Sequence, residues 1–244
     1  MPSIFSVFTT ICFQCYTFIA VMKKSFKIGV LAIQGAFAEH KNAFQNCALK
    51  FSITITMVEI RSADDITADL DGIVLPGGES TAMGRLLKQN EFGERLKTYI
   101  SGSMTNHRPV IWGTCGGLIM LSNDLVNQKQ GGQYMLGGLD VTVSRNFFGS
   151  QINSFEGPVT LDKDIMGQET CHGVFIRAPA VTSCDSGKVQ VLGCVDARDG
   201  SDKSIVVAVQ QGNILATSFH PELTSDRLWQ KYFLDLIVKL NNTA

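Results

Sequence analysis

"WGTCGGLIML", residues 112–121, decides the reading of this chain. It continues "RPVI" and sets one cysteine among glycines, after one short apolar run and before another. A buried structural cysteine has no need of glycine on both sides. A cysteine lifted clear of a sheet on a sharp strand-to-helix turn does need it, because neighbouring side chains would clash there. Gly113-Thr114-Cys115-Gly116-Gly117 is the cysteine counterpart of a nucleophile elbow. The positive end of the following helix favours thiolate over thiol. The N–H after the cysteine can face a developing oxyanion. The plain alternative is a free buried cysteine in a tight turn.

Outward from the elbow, the same strand, turn and helix pattern repeats. "KIGVLAI" (27–33) reads as a buried strand, "AFAEHKNAFQNCAL" (36–49) as a helix and "SITITMV" (52–58) as a second strand. "DGIVLPGGES" (71–80) is a strand running into a glycine turn. "STAMGRLLKQ" (80–89) reads as a helix with Ser80 and Thr81 as candidate N-caps. Strands alternating with helices imply a parallel sheet with crossovers, whose functional groups gather at the carboxyl ends of the strands. From about residue 134 the pattern changes to short strand-like runs, and "SIVVAVQQGNILATSF" (204–219) reads as a hairpin about Gln211–Gly212–Asn213. "DRLWQKYFLDLIVKL" (226–240) carries Trp229, Phe233, Leu236, Ile237 and Leu240 at helical spacing, a core stripe. The expected fold is one α/β domain with a mixed, mostly parallel sheet flanked by helices.

The bulk numbers agree. With 45% hydrophobic and 18% charged residues the chain is globular, and 244 residues suffice for one good core. A net charge of −1 gives no electrostatic reason to expect nucleic acid or an anionic membrane. The seven cysteines are odd in number and irregular in spacing, which points to a reducing, cytoplasmic setting without a disulfide framework. Cys12 and Cys15 read as small hydrophobes; no second pair has zinc spacing, so no metal is expected. Residues 1–25 read as an apolar extension of uncertain role ahead of a domain at 26–244: a signal-like segment, a weak membrane anchor or, as favoured by the ordinary domain start at Met22, "MKKSFKIGVLAIQG", an upstream extension that the fold does not use. A membrane partner is not expected.

A cysteine nucleophile needs a base. Of four histidines, His220 in "SFHPEL" follows the "NILATSF" strand, with Glu222 two residues on across a stiff proline. That spacing lets the carboxylate hold the imidazole in one tautomer. His40, on the first helix, and His107, in a loop, read as surface residues, which leaves His172 as the competitor. "LPGGES" (75–80) puts two glycines at a strand end, where their N–H groups can hold an oxyanion or a carboxylate. It lacks the G-K-[ST] ending of a phosphate loop.

Together these features resemble the class I (triad) glutamine amidotransferase family. Within it, "GVLAIQGAFAEH", "LPGGESTAMGRLL", "GTCGGLIML", "SRNFFGSQINSFEG", "FIRAP" and "ATSFHPEL" are most similar to the glutaminase subunits of pyridoxal 5'-phosphate synthase. The resemblance runs from about Ile28 to the C-terminus and implies a flavodoxin-like three-layer sandwich. It implies that Cys115 attacks the side-chain amide of L-glutamine, that His220 is general base and then acid, and that Glu222 orients His220. Gly77, Gly78, Glu79, Arg145, Ile176 and Arg177 match the glutamine-holding positions. Gly78 and Gly116 match the oxyanion N–H groups, and Gln34 a glutamine between active site and partner contact. The implied partner is the synthase subunit in a hetero-oligomeric complex, with no cofactor on this chain. Bland readings stand beside these: surface ion pairs for the two arginines, core for Ile176, a helix-start carboxylate for Glu79. The competing functions are another cysteine hydrolase of the same fold, such as a γ-glutamyl hydrolase, and a non-catalytic docking subunit.

Overall fold

The computed structural model describes residues 25–89, 91–102, 109–126, 132–149, 154–198 and 200–241. Among them, twelve strands form one sheet. The first half of the chain supplies β1 (Ser25–Leu31), β2 (Thr54–Ile60), β3 (Gly72–Leu75), β4 (Val110–Thr114), β5 (Ser122–Leu125) and β6 (Leu139–Ser144). The second half supplies β7 (Ser154–Leu161), β8 (Thr170–Ile176), β9 (Ala180–Cys184), β10 (Gln190–Asp196), β11 (Ser204–Gln211) and β12 (Ile214–Thr217). The order is β2-β1-β3-β4-β12-β11-β10-β7-β8, with β5, β6 and β9 branching off β11.

From β2 to β12 every neighbouring pair is parallel. From β12 to β8 every pair is antiparallel. β1 leads to β2 on one side and to β3 on the other, so the strand order reverses beside β1. Open α/β sheets place their ligand crevice at such a reversal.

The helices are α1 (Phe37–Phe51), α2 (Ser80–Leu87), α3 (Phe92–Ile100), α4 (Gly116–Leu121), α5 (Lys163–Met166) and α6 (Leu228–Asn241). Side chains alternate across the central strands, as a period of two requires. Ile73 and Leu75 of β3 join Met83, Leu87, Leu96, Tyr99 and Leu118 of α2 to α4 on one face. Val74, between them, faces the other way and joins Phe44 of α1 and Phe233 of α6. Two apolar layers on either face of one sheet give the expected three-layer sandwich.

The expected hairpin is present, with Gln211 opposite Ile214 and Gly212 at φ +58°. Trp229, Phe233, Leu236 and Ile237 are buried, and Leu240 packs at the edge of the same cluster. Elements with weak sequence signals appear in addition: α3, α5, β5 and β9. One boundary is corrected. The N-cap of α2 is Glu79, whose carboxylate accepts from Thr81 N and Ala82 N at 3.1 and 2.7 Å, rather than Ser80 or Thr81. The extension read at residues 1–25, with Cys12 and Cys15, lies outside the described residues, save Ser25, which pairs with Thr54. Cys47, Cys115, Cys171, Cys184 and Cys194 are free thiols. No helix among the described residues is long and apolar enough to cross a membrane.

The β4–α4 turn shows why glycines surround Cys115. A Cβ added to Gly117 would lie 2.1 Å from the carbonyl oxygen of Leu75, a backbone atom of the neighbouring strand. Gly117→Ala must therefore part β3 from the elbow, at an overpacking cost of about 1–3 kcal/mol. Urea unfolding of this variant should show a lower midpoint with an unchanged m value; an unaltered midpoint would refute the close approach.

Candidate active site

Cys115 has φ +48° and ψ −102°, a conformation that costs a non-glycine residue about 1–3 kcal/mol. Its N–H donates to Thr217 O at 2.8 Å, extending the β4–β12 ladder by one step. Its Sγ lies 3.9 Å from the carbonyl oxygen of Ile176. Gly116, the first residue of α4, abuts Gly78: an added Cβ would come within 2.6 Å of Gly78 O. The first N–H groups of a helix have no partner within it, so the Gly116 N–H stands next to the thiol available for a ligand.

His220 follows β12, and its N–H donates to Val174 O at 2.8 Å, tying it to β8. Its Nδ1 is 2.8 Å from Glu222 Oε1, and both side chains are buried. The 3₁₀ turn Pro221–Leu223 carries Glu222 and sets this separation. Burial opposes a charge on His220. The hydrogen bonds to Cys115 and Glu222, with their charges, outweigh it and raise the imidazole to about 10. Burial also opposes a charge on Glu222; His40 and His220 outweigh it and hold the carboxyl below the usual range.

His40 is the residue that sequence reasoning misplaced. It was expected on the surface; it is fully buried, with Nε2 at 3.0 Å from Thr114 Oγ1 and 3.3 Å from Glu222 Oε2. The signal was there: His40 falls on one stripe with Ala43, Phe44, Cys47 and Ala48, the buried face of α1. His172, the competitor for the base, is half-exposed and paired with Glu156 at 2.9 Å, and it is not among the residues lining the Cys115 cavity. His107 lies outside the described residues.

Gly77 touches both ends of the thiol–imidazole pair. An added Cβ would lie 2.4 Å from His220 Cε1 and 3.2 Å from Cys115 Cβ. Gln34, after β1, accepts from Glu79 N at 2.8 Å through Oε1 and packs against Gly78. A cavity of about 730 Å³ gathers Gln34, Gly77, Gly78, Glu79, Cys115, Arg145, Ile176, Arg177 and His220. The structure thus brings every expected site residue except Glu222 and Gly116 to the cavity wall, and those two lie directly behind it. Glu79 meets its bland reading as a helix cap and still lines the cavity. Ile176 is exposed, not core. Arg145 donates to two neutral groups, Gln133 Oε1 at 2.9 Å and Thr81 Oγ1 at 3.3 Å. Against the opposing effect of burial, its charge helps the Thr81 and Ala82 N–H groups hold the nearby Glu79 carboxyl below the usual range, without a direct hydrogen bond to it. Arg177 is exposed and sits at φ +45°. No group of three or more potential metal ligands occurs among the described residues.

A thiol, an imidazole and a carboxylate meet at the ends of parallel strands, the three groups that cysteine acyl transfer requires. Residues 30–239 match the SNO glutamine amidotransferase family. A probable pyridoxal 5'-phosphate synthase subunit pdx2 of Dictyostelium discoideum is 41% identical over 91% of this chain and 96% of that one. The pyridoxal 5'-phosphate synthase subunit PdxT of Chloroflexus aggregans is 43% identical over 86% of this chain and 99% of its own. A crystal structure described as a glutamine amidotransferase superposes with a TM-score of 0.70 at 36% identity, covering 86% of this chain and 98% of that chain. The chain belongs to the SNO glutamine amidotransferase family. The α/β sandwich and the class expected from its motifs are both borne out.

The His220 shift has a sign that unfolding can read. A group whose pKa is raised on folding, here from 6.5 to about 10, adds stability that is complete below 6.5 and is lost as pH rises through 10. Glu222, held low, stays ionised throughout this window. The stability advantage of the native chain over His220→Gln should shrink steadily from pH 6.5 to 10 in urea titrations. A pH-independent advantage would mean that the fold does not favour the imidazolium.

Proposed function

We propose that this chain is the glutaminase subunit of a pyridoxal 5'-phosphate synthase, hydrolysing L-glutamine to L-glutamate and ammonia and passing the ammonia to a synthase chain. One observation carries the chemistry: a strained cysteine elbow faces a buried histidine held at 2.8 Å by a carboxylate, in a chain of a glutamine amidotransferase family. The names of the pyridoxal 5'-phosphate synthase subunits that it resembles support the partner.

His220 takes the Cys115 proton, and Sγ adds to the amide carbon of glutamine. The carbonyl oxygen gains the negative charge and meets the Gly78 and Gly116 N–H groups. The intermediate collapses as the C–N bond breaks and His220 returns its proton to the leaving nitrogen, releasing ammonia and leaving a γ-glutamyl thioester. Water, deprotonated by His220, adds to the thioester; the C–S bond breaks and glutamate forms. Against the cost of burial, the contacts to Cys115 and Glu222 favour the charged form of His220, and Glu222 stabilises the imidazolium that stands beside the thiolate. Arg145 or Arg177 offers the cation for the α-carboxylate of a free amino acid. Glu79 brings a negative charge near its α-ammonium, while Gly77 and Ile176 shape the wall. Gln34, braced on Glu79 N, links this wall to the surface where a partner chain acts.

Glutamate release by the full chain, measured with and without the cognate synthase chain, tests the reading. The expected result is release that depends on the partner and falls to background in Cys115→Ala. Undiminished release by Cys115→Ala would remove the thiol chemistry. Equal release without the partner would remove the partner dependence and leave the thiol chemistry standing.

A further inference from the structure

We infer that His40 is a positioning residue for the triad: its Nε2–H, bonded to Thr114 Oγ1, also faces the outer oxygen of Glu222, so that the carboxylate lies between two imidazoles. The inference rests on the glutaminase reading above and deepens it. Glu222 Oε1 meets His220 Nδ1 at 2.8 Å, whereas Oε2 is buried, lies 3.3 Å from His40 Nε2 and has no hydrogen bond of good geometry among the described residues. A buried carboxylate oxygen left alone costs free energy, and an N–H dipole aimed at it is the available compensation.

The tautomer follows from the surroundings. His40 Nδ1 is buried without a partner among the described residues, while Nε2 faces Thr114 Oγ1 at 3.0 Å and Glu222 Oε2 at 3.3 Å. A proton on Nδ1 would leave a buried donor unpaired and aim a lone pair at a carboxylate. A proton on Nε2 leaves only an acceptor unpaired and turns the donor towards Thr114 Oγ1 and the carboxylate beside it. The groups facing His40 are Glu222 from the 3₁₀ turn, His220 beyond it and Glu39 on its own helix; burial outweighs the acidic groups and keeps the ring neutral. The ring is further fixed by its edge-to-face contact with Trp112, with centroids 5.7 Å apart. Thr114 immediately precedes the nucleophile. The contacts Thr114–His40–Glu222–His220–Cys115 therefore close a loop that joins β4 to the turn after β12 through α1, which packs on that turn.

The test compares His40→Met with His40→Gln in the full chain. The two side chains are similar in size, and only glutamine offers an N–H where Nε2 stood. The readout is the pH dependence of Cys115 alkylation by iodoacetamide, followed by peptide mass spectrometry; it needs neither turnover nor a synthase chain. Burial pushes Cys47 and Cys171 up to about 11, so they compete little. Losing this contact weakens the imidazolium, so the acid limb of alkylation in His40→Met should move up by about one pH unit, a roughly tenfold slower reaction on that limb. His40→Gln should restore most of the native profile. Glu222→Gln should shift the limb at least as far, and adding His40→Met to it should shift it no further. Superposition of the His40→Met and native profiles, equal shifts in Met and Gln variants, or additivity with Glu222→Gln would each overturn the inference, even for a variant that merely melts earlier. Failure of the glutaminase reading shows separately, as glutamate release that survives Cys115→Ala.

Discussion

The hydrogen bond from Cys115 N to Thr217 O, across the last step of the β4–β12 ladder, is the constraint on which the site depends. It holds the backbone of Cys115 at a positive φ that an isolated turn would not keep. Keeping it requires β12 to run parallel to β4 and to end at the same level. That in turn delivers His220 three residues after the strand, on the same side as the thiol. Gly117 and the carbonyl of Leu75 make the matching demand from the other flank, because β3 can end beside the elbow only if no side chain intervenes. Four strand ends, β1, β3, β4 and β12, thus converge because one strained residue has to be braced on both sides.

Electrostatics then sorts two histidines that share one carboxylate. His220 faces both Glu222 and Cys115, and these partners outweigh the cost of burying its charge. His40 faces the same Glu222 but is completely enclosed, and burial wins. One imidazole is therefore driven towards its charged form and the other towards its neutral form across a single carboxylate. That division suits a site in which one ring moves protons and the other stays fixed. A buried ionised carboxylate persists only when it is paired and hydrogen-bonded, and here the pairing fixes the His220 ring beside the Cys115 thiol.

Much of this was legible before the structure. The elbow glycines, the His-Pro-Glu spacing and the strand–helix alternation each have a local cause, so they survive in a linear reading. What escaped was non-local or polar. α3, "FGERLKTYI", buries Phe92, Leu96, Tyr99 and Ile100 at helical spacing, but charged residues dilute that stripe in the sequence. Glu79 caps α2 although serine and threonine follow it, because its longer carboxylate reaches Thr81 N and Ala82 N from one position earlier. His40 was hidden by its type: a histidine on an amphipathic helix reads as solvated unless its place on the apolar stripe is counted. Only the fold shows that the stripe meets the His-Pro-Glu turn.

The two halves of the sheet contribute different things. The parallel strands supply the thiol, the imidazole and the glycine turn that the proposed chemistry uses. Arg145 follows β6, which pairs in parallel with β5 and antiparallel with β9, and Ile176 ends β8 just before Arg177. Phe147 N donates to Ala178 O at 3.1 Å, so the two arginine-bearing loops are tied to each other. His220 N donates to Val174 O, so the turn that carries His220 is tied to the strand that ends at Ile176, next to Arg177. Two cationic loops locked together and hung from the histidine's own backbone can place a substrate carboxylate at a fixed distance from the thiol. Under the proposed chemistry, that distance separates the α-carboxylate of glutamine from its side-chain amide, and it gives a shared reaction centre its preference for a free amino acid.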